Sequence, residues 1–216
     1  MVYLDKAESM KQLYLLLLVV LNYSFSFSQD PLQKFTHAYF RSDPYKAEFS
    51  SFLNHLLKDP GIADKEIFPR TDTSFFYFQG SYSGFNPFFF KPKTLRIVLT
   101  ETAISYTESS AYVDTIYVYE LHALTDYTPE GIEEVKKEFL RINRQYQKKF
   151  FRTTHSDLLH KDKPVGGVQH YFMPFNALAP LSIAWGKMQG ENSAVLNITL
   201  RMKSANNRAV LPAPFD

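Results

Sequence analysis

Two runs of β-forming residues, 95–106 and 112–124, are separated by little more than Glu108-Ser109-Ser110-Ala111. Parallel strands need a crossover of about a dozen residues or more, so so short a link forces an antiparallel hairpin. Alternation sorts the second run. Val113, Thr115, Tyr117, Tyr119 and Leu121 share one face, and Asp114, Ile116, Val118, Glu120 and His122 share the other. Both faces are partly apolar, which predicts a central strand, covered on one side and half-covered on the other.

Helical patterns flank this hairpin. Thr128 and Pro129 stand as cap and first position of a helix whose Ile132, Val135, Phe139, Ile142, Tyr146 and Phe150 form one stripe. The spacing predicts a long amphipathic helix over 128–151. Upstream, Leu32, Phe35 and Tyr39 suit a short helix over 31–40. Ser42-Asp43-Pro44 restarts the chain into a second one with Tyr45, Phe49, Phe52, Leu53 and Leu56 on one side. Asp59-Pro60-Gly61 ends it. Residues 60–72 read as a loop, 73–82 as an aromatic-rich strand and 153–170 as a polar connection. Pro174 and Pro180 break the apolar stretch 171–186, which suits a loop or a short strand. A last strand is expected over 194–202, then an extended tail through Leu211-Pro212-Ala213-Pro214. Together these predict a single α+β domain over 29–216. Its mainly antiparallel sheet of about five strands packs with an N-terminal helix and the long helix.

Composition excludes several classes. Of 216 residues, 45% are hydrophobic and 21% charged, too apolar a balance for a disordered chain. With no cysteine, disulfide scaffolds, thiolate metal sites and thiol catalysis are excluded. No glycine-rich phosphate loop follows any strand, and no cofactor or metal is expected.

The N-terminus reads as an address. Lys11 precedes an apolar run over 13–21, and Ser26 and Ser28 suit a peptidase cut before Gln29. Residues 1–28 are therefore expected to be a signal peptide, with Met10 a better start than Met1 because Asp5 and Glu8 precede the apolar core. The segment ending Phe-Ser-Phe-Ser-Gln resembles bacterial secretory signal peptides, which implies export to the periplasm or the medium. The alternative is an uncleaved anchor, although the core falls short of the roughly 20 residues a spanning helix needs.

Four features bear on chemistry. Lys137, Arg141, Arg144, Lys148 and Arg152 recur opposite the apolar stripe of the long helix, a basic strip suited to an anionic partner. The plainer reading is a solvated face sorted by the helix dipole, with Glu130, Glu133 and Glu134 near the start. Aromatic residues crowd 75–90, and Phe88, Phe89 and Phe90, between Pro87 and Pro92, would form an interaction patch if exposed and core if not. His155, Asp157, His160, Asp162 and His170 are metal-ligating types at poor spacing, which favours a solvated loop. Glu120 and His122, with Asp114 on the same face, are an acid–base pair in kind, but no Gly-x-Ser-x-Gly elbow supplies a nucleophile. Two short motifs complete the survey. Asn197-Ile198-Thr199 is a glycosylation sequon inside an expected strand, and Asp114-Thr115-Ile116 resembles a bacterial O-glycosylation acceptor.

The functional expectation is an exported, non-enzymatic domain that binds an anionic envelope component or glycan. With 24 Lys and Arg against 22 Asp and Glu, the charge excess is too small to favour nucleic acid. An exported hydrolase with a His–carboxylate site and a structural assembly subunit with a protein partner are the competing expectations.

Overall fold

A computed structural model describes residues 31–44, 48–69, 76–105, 113–161, 163–174 and 178–203. The expected signal peptide and the expected C-terminal tail lie outside the described residues. Two helices come first, α1 (Pro31–Tyr39) and α2 (Phe49–Lys58). Strands β1 (Ile62–Phe68), β2 (Tyr77–Tyr82), β3 (Thr94–Ser105) and β4 (Val113–Asp126) follow. Helix α3 (Pro129–Tyr146) leads to β5 (Arg152–His160), β6 (Lys163–Phe172), β7 (Leu181–Lys187) and β8 (Ser193–Lys203).

The strands form one eight-stranded sheet in the order β1-β2-β3-β4-β8-β7-β6-β5. Every neighbouring pair is antiparallel. The chain thus folds as two four-stranded meanders. They are joined where β8 returns to lie along β4, from Ile116 opposite Lys203 to Asp126 opposite Ser193.

This corrects the expectation of an α+β fold with about five strands. The described residues form mostly one large sheet with three helices. Three of the missed strands come from 62–68, read as loop, and from 153–170, read as a polar connection. β1 and β5 are the two edges of the sheet, exposed at almost every position, so neither shows the apolar alternation that marks a half-buried strand. β6 is interrupted by Gly166 and Gly167, and an added Cβ at Gly167 would meet the Trp185 indole at 2.9 Å. The prolines that broke 171–186 leave 181–187 free to form β7, buried at most positions.

All three helices pack on one face of the sheet. Leu32, Phe35 and Tyr39 from α1, Phe52 and Leu56 from α2, and Val135, Phe139, Ile142 and Tyr146 from α3 share one apolar cluster with the strands. Rings set the geometry. Phe49 stacks on Tyr117 at 3.9 Å, and Phe52 meets Tyr119 edge-on at 5.2 Å. Phe35 meets Tyr146 edge-on at 4.9 Å, which ties α1 to the last turn of α3. Each buried ring contributes about 2 kcal/mol or more through the area it removes from water.

The long helix is shorter than its stripe implied. Thr128 caps it, its hydroxyl accepting from the Gly131 N–H at 3.1 Å. At the far end the Phe151 N–H donates to Phe172 O at 3.1 Å. The backbone is by then committed to the sheet, so the helix stops at Tyr146 and a turn carries Phe150 into the core. Among the described residues, no helix is long and apolar enough to cross a membrane.

Candidate functional site

The segment before β3 is folded around one side chain. Asn86 Oδ1 accepts from the Phe88 N–H at 3.0 Å, and its Nδ2 donates to Phe90 O at 2.8 Å. This bend divides three consecutive phenylalanines. Phe88 and Phe90 turn inward, with Phe88 packed on Tyr39 at 5.8 Å. Phe89 turns out and is 82% exposed. Of the three rings expected as a patch, one is presented and two are core.

Phe89 is directed onto α3. Its N–H donates to Glu138 Oε1 at 3.4 Å, across 49 positions of sequence. Its ring lies 4.1 Å from the guanidinium carbon of Arg141. Arg141 is itself fixed on several sides. Its Nε and Nη2 donate to the two Glu138 carboxylate oxygens at 2.9 and 2.6 Å. Nη2 also donates to the Tyr39 hydroxyl at 3.0 Å, and Nη1 to Gln145 Oε1 at 3.1 Å. Glu138 is buried, so its charge depends on this forked pairing. The hydrogen bonds that Arg141 donates to Glu138 raise its proton affinity further above the ordinary value, against the opposing effect of burial. Burial pushes the Tyr39 hydroxyl up to about 12, with Arg141 offsetting part of the rise. Both groups stay protonated across the physiological range, so Arg141 is a fixed plate under Phe89.

A shallow groove of about 460 Å3 runs beside this plate. Phe89 and Phe90 form one side, and Glu134, Lys137, Arg141 and Arg144 of α3 form the other. Lys137 is largely exposed, with Glu133 at 3.8 Å, a pairing worth little in water. Arg144 is exposed, and its Nε donates to Leu140 O at 3.3 Å.

The basic strip is therefore not uniform. Arg141 is neutralised by Glu138, and the available charge sits on Lys137 and Arg144. Lys148 is exposed but lies outside the groove lining. Arg152 is not on the helix. It opens β5, and its guanidinium stacks on Phe172 at 4.3 Å. Sequence reasoning missed Glu138, Tyr39 and Glu134. Glu138, three residues before Arg141 on a strip of bases, was the available signal.

The other candidate groups are dispersed or structural. Glu66, Gln79, Val98, Glu120, Thr199, Ser182, His170 and Thr154 stand in register across all eight strands. Within this row Glu120 accepts from Thr199 Oγ1 at 3.1 Å and lies 3.4 Å from His122 Nε2. Burial alone would raise the Glu120 carboxyl. Its bonds from His122, Thr199 and Asn197 outweigh that and hold it below the ordinary carboxylate range. His122 is itself buried and Glu120 stands at its Nε2, but among the described residues its Nδ1, the nitrogen left to act as base, has no hydrogen-bond partner and so no nucleophile in reach. Asp114 lies on the β4 backbone, with its side chain outside the described ones. His170 Nδ1 and Ser182 Oγ are 2.8 Å apart, and Arg201 Nη1 donates to the same hydroxyl at 2.9 Å.

His155 and Asp157 contact each other at 3.0 Å on β5, whereas His170 occupies the opposite sheet face. Asp162 lies outside the described residues. Among the described residues, no three His, Asp or Glu side chains converge as a metal site. The sequon Asn197 is an interior position of β8, hydrogen-bonded to Glu120 at 3.5 Å.

Comparison with protein-family models, with curated proteins and with solved structures finds no match to this chain. The groove's own chemistry is what bears on function.

Proposed function

We propose that this protein is an exported, non-enzymatic binding domain of the cell envelope that takes an anionic glycan in the groove between Phe89 and α3. The observation that carries this reading is the exposed Phe89 ring, held on a fixed guanidinium at the edge of a groove whose far wall bears Lys137 and Arg144. A pyranose ring stacks its C–H face on an aromatic ring, and a carboxylate or phosphate on the sugar meets the available cations. Neither group alone specifies an acidic sugar; the pair does. Arg141 serves as a positioning residue, holding the ring at a constant angle so that little ordering entropy is lost on binding.

The test is titration calorimetry with an oligouronate, with a neutral glucan of equal length as control. Phe89→Ala is expected to weaken oligouronate binding about tenfold, and Lys137→Glu with Arg144→Glu to abolish it. Affinity should fall with added salt. Equal binding of the neutral glucan, or full affinity in Phe89→Ala, overturns the reading. Binding to anionic vesicles that survives Phe89→Ala would transfer the site to a lipid surface and overturn the glycan.

A further inference from the structure

The two edges of the sheet are treated differently. β1 is guarded. Its register with β2 shifts between Ala63 and Glu66, Asp64 sits at a φ of 50°, and Asp64, Lys65 and Glu66 are consecutive charges. Lys65 also reaches back to Leu57 O and Asp59 O, each at 2.7 Å. Such bulges and charges keep an edge from pairing with another chain. β5 has fewer of these devices: its two charged residues, Arg152 and Asp157, are five positions apart. Arg152–His160 contains no lysine, proline or glycine, and positive φ occurs only after its end, at Lys161. Its one register shift inserts Val165 into β6, which leaves β5 regular. Nearly every residue of β5 is exposed, including Leu158 at 60% and Leu159 at 62%. Among the described residues β5 has a strand on one side only.

We infer that β5 pairs with β5 of a second copy of this chain, antiparallel and centred on Ser156, to make one continuous sheet. The occupant is chosen by the strand's own sequence. Paired residues of an antiparallel ladder share a face, so a two-fold axis through the edge must pass through one residue paired with itself. Ser156 is the midpoint of Arg152–His160, so this centre overlaps the whole strand. It sets His155 of each copy opposite Asp157 of the other, Thr153 and Thr154 opposite Leu159 and Leu158, and, at the two ends, Arg152 opposite His160. Moving the centre to Asp157 would place two carboxylates face to face, and moving it to His155 would place two imidazoles face to face. Like charges directly opposite destabilise a ladder, and unlike pairs support it. Full-length overlap and the two central His155–Asp157 pairs favour this register, and the basic pairs of Arg152 with His160 fall at the fraying ends of the ladder. The pairing satisfies the outward backbone groups of β5 and covers Leu158 and Leu159. Because the axis is perpendicular to the sheet, both α3 helices lie on the same face of the dimer.

The register is tested by crosslinking, which the absence of native cysteine makes clean. Sedimentation equilibrium of the intact protein is expected to give twice the monomer mass. Ser156→Cys should crosslink under mild oxidation. Thr154→Cys alone should not, whereas Thr154→Cys with Leu158→Cys should. Asp157→Lys should give a monomer, and adding His155→Asp to it should restore the dimer. Should Asp157→Lys fail to fold by circular dichroism, Ser156→Lys, which sets two ammonium groups on the axis, decides in its place. A monomer up to about 100 μM, a concentration at which even weak specific pairing is populated, overturns the inference. So does a dimer in which Ser156→Cys does not crosslink.

Discussion

Glu138 holds Arg141 through two hydrogen bonds, at 2.9 and 2.6 Å, from a side chain only 4% exposed, while the guanidinium keeps about a quarter of its surface in water. The asymmetry has an energetic consequence. Arg141→Ala strands a buried carboxylate and should cost about 3 kcal/mol. Glu138→Gln leaves a guanidinium that still touches solvent and should cost about half as much. Replacing both, as Glu138→Gln with Arg141→Ala, should cost less than the sum of the two single losses, because no charge is left buried. Urea unfolding of the four proteins measures the cycle. Losses that simply add would show the two side chains to be energetically independent.

Gly131 offers a prediction in which two rules oppose each other. Helix propensity favours alanine over glycine by about 1 kcal/mol. A Cβ at this position would lie 2.2 Å from the carbonyl oxygen of Asp126, which is backbone and cannot swing away. Gly131→Ala should therefore lower stability by about 1–3 kcal/mol rather than raise it. A higher melting temperature in this variant would mean that the turn between β4 and α3 yields easily.

Two groups on the helix-free face make stability fall toward acid. Burial, then the charge of Arg201, lower the pKa of His170, so folding favours its neutral form. That contribution is full above the ordinary histidine value of about 6.5 and is lost as pH falls through the folded pKa. Glu120 is also depressed, so its contribution is present above the ordinary glutamate value of about 4.3 and is lost as pH falls through its folded pKa. Wild-type protein should lose stability in two successive steps. His170→Gln should remove the upper step and Glu120→Gln the lower. Melting temperatures across pH 3–8 follow both, and an acid limb unchanged in Glu120→Gln would place the titration elsewhere.

The buried hydroxyl of Tyr171 donates to Asn143 Oδ1, and links β6 to α3 beneath the ring of Phe150. Tyr171→Phe removes the donor and leaves the amide oxygen of Asn143, itself 7% exposed, without that partner. The expected loss is about 1–3 kcal/mol. Thermal unfolding by calorimetry measures it, and a neutral effect would mean that solvent reaches Asn143.

The elements legible in the residues are those with a buried face or a short link to their partner. The β3–β4 pair follows from the short link between its strands. The inward set of α3 follows from the stripe Val135, Phe139, Ile142 and Tyr146. β1 and β5 are illegible because an edge strand exposed on both faces has no reason to alternate, and Thr153, Thr154 and Ser156 read as a polar loop. With those strands unseen, the sheet could not be counted. The site divides in the same way. Lys137, Arg141 and Arg144 are legible as bases, and Phe88, Phe89 and Phe90 as rings. Which ring faces outward depends on Asn86, and which base stays available depends on Glu138. Both are local contacts, a side-chain-held bend and an i,i+3 ion pair, which hydrophobic periodicity does not encode.

The return of β8 to β4 has a consequence for how the molecule is made. Glu120 and Thr199, joined across the central pairing, are 79 positions apart. Without β8, β4 is an open edge, and Tyr119 and Leu121 lack their strand neighbours Leu200 and Ile198. Each meander alone would leave one edge of the central pairing open, β4 in the first and β8 in the second. The central pairing therefore waits for β8, the last of the described strands.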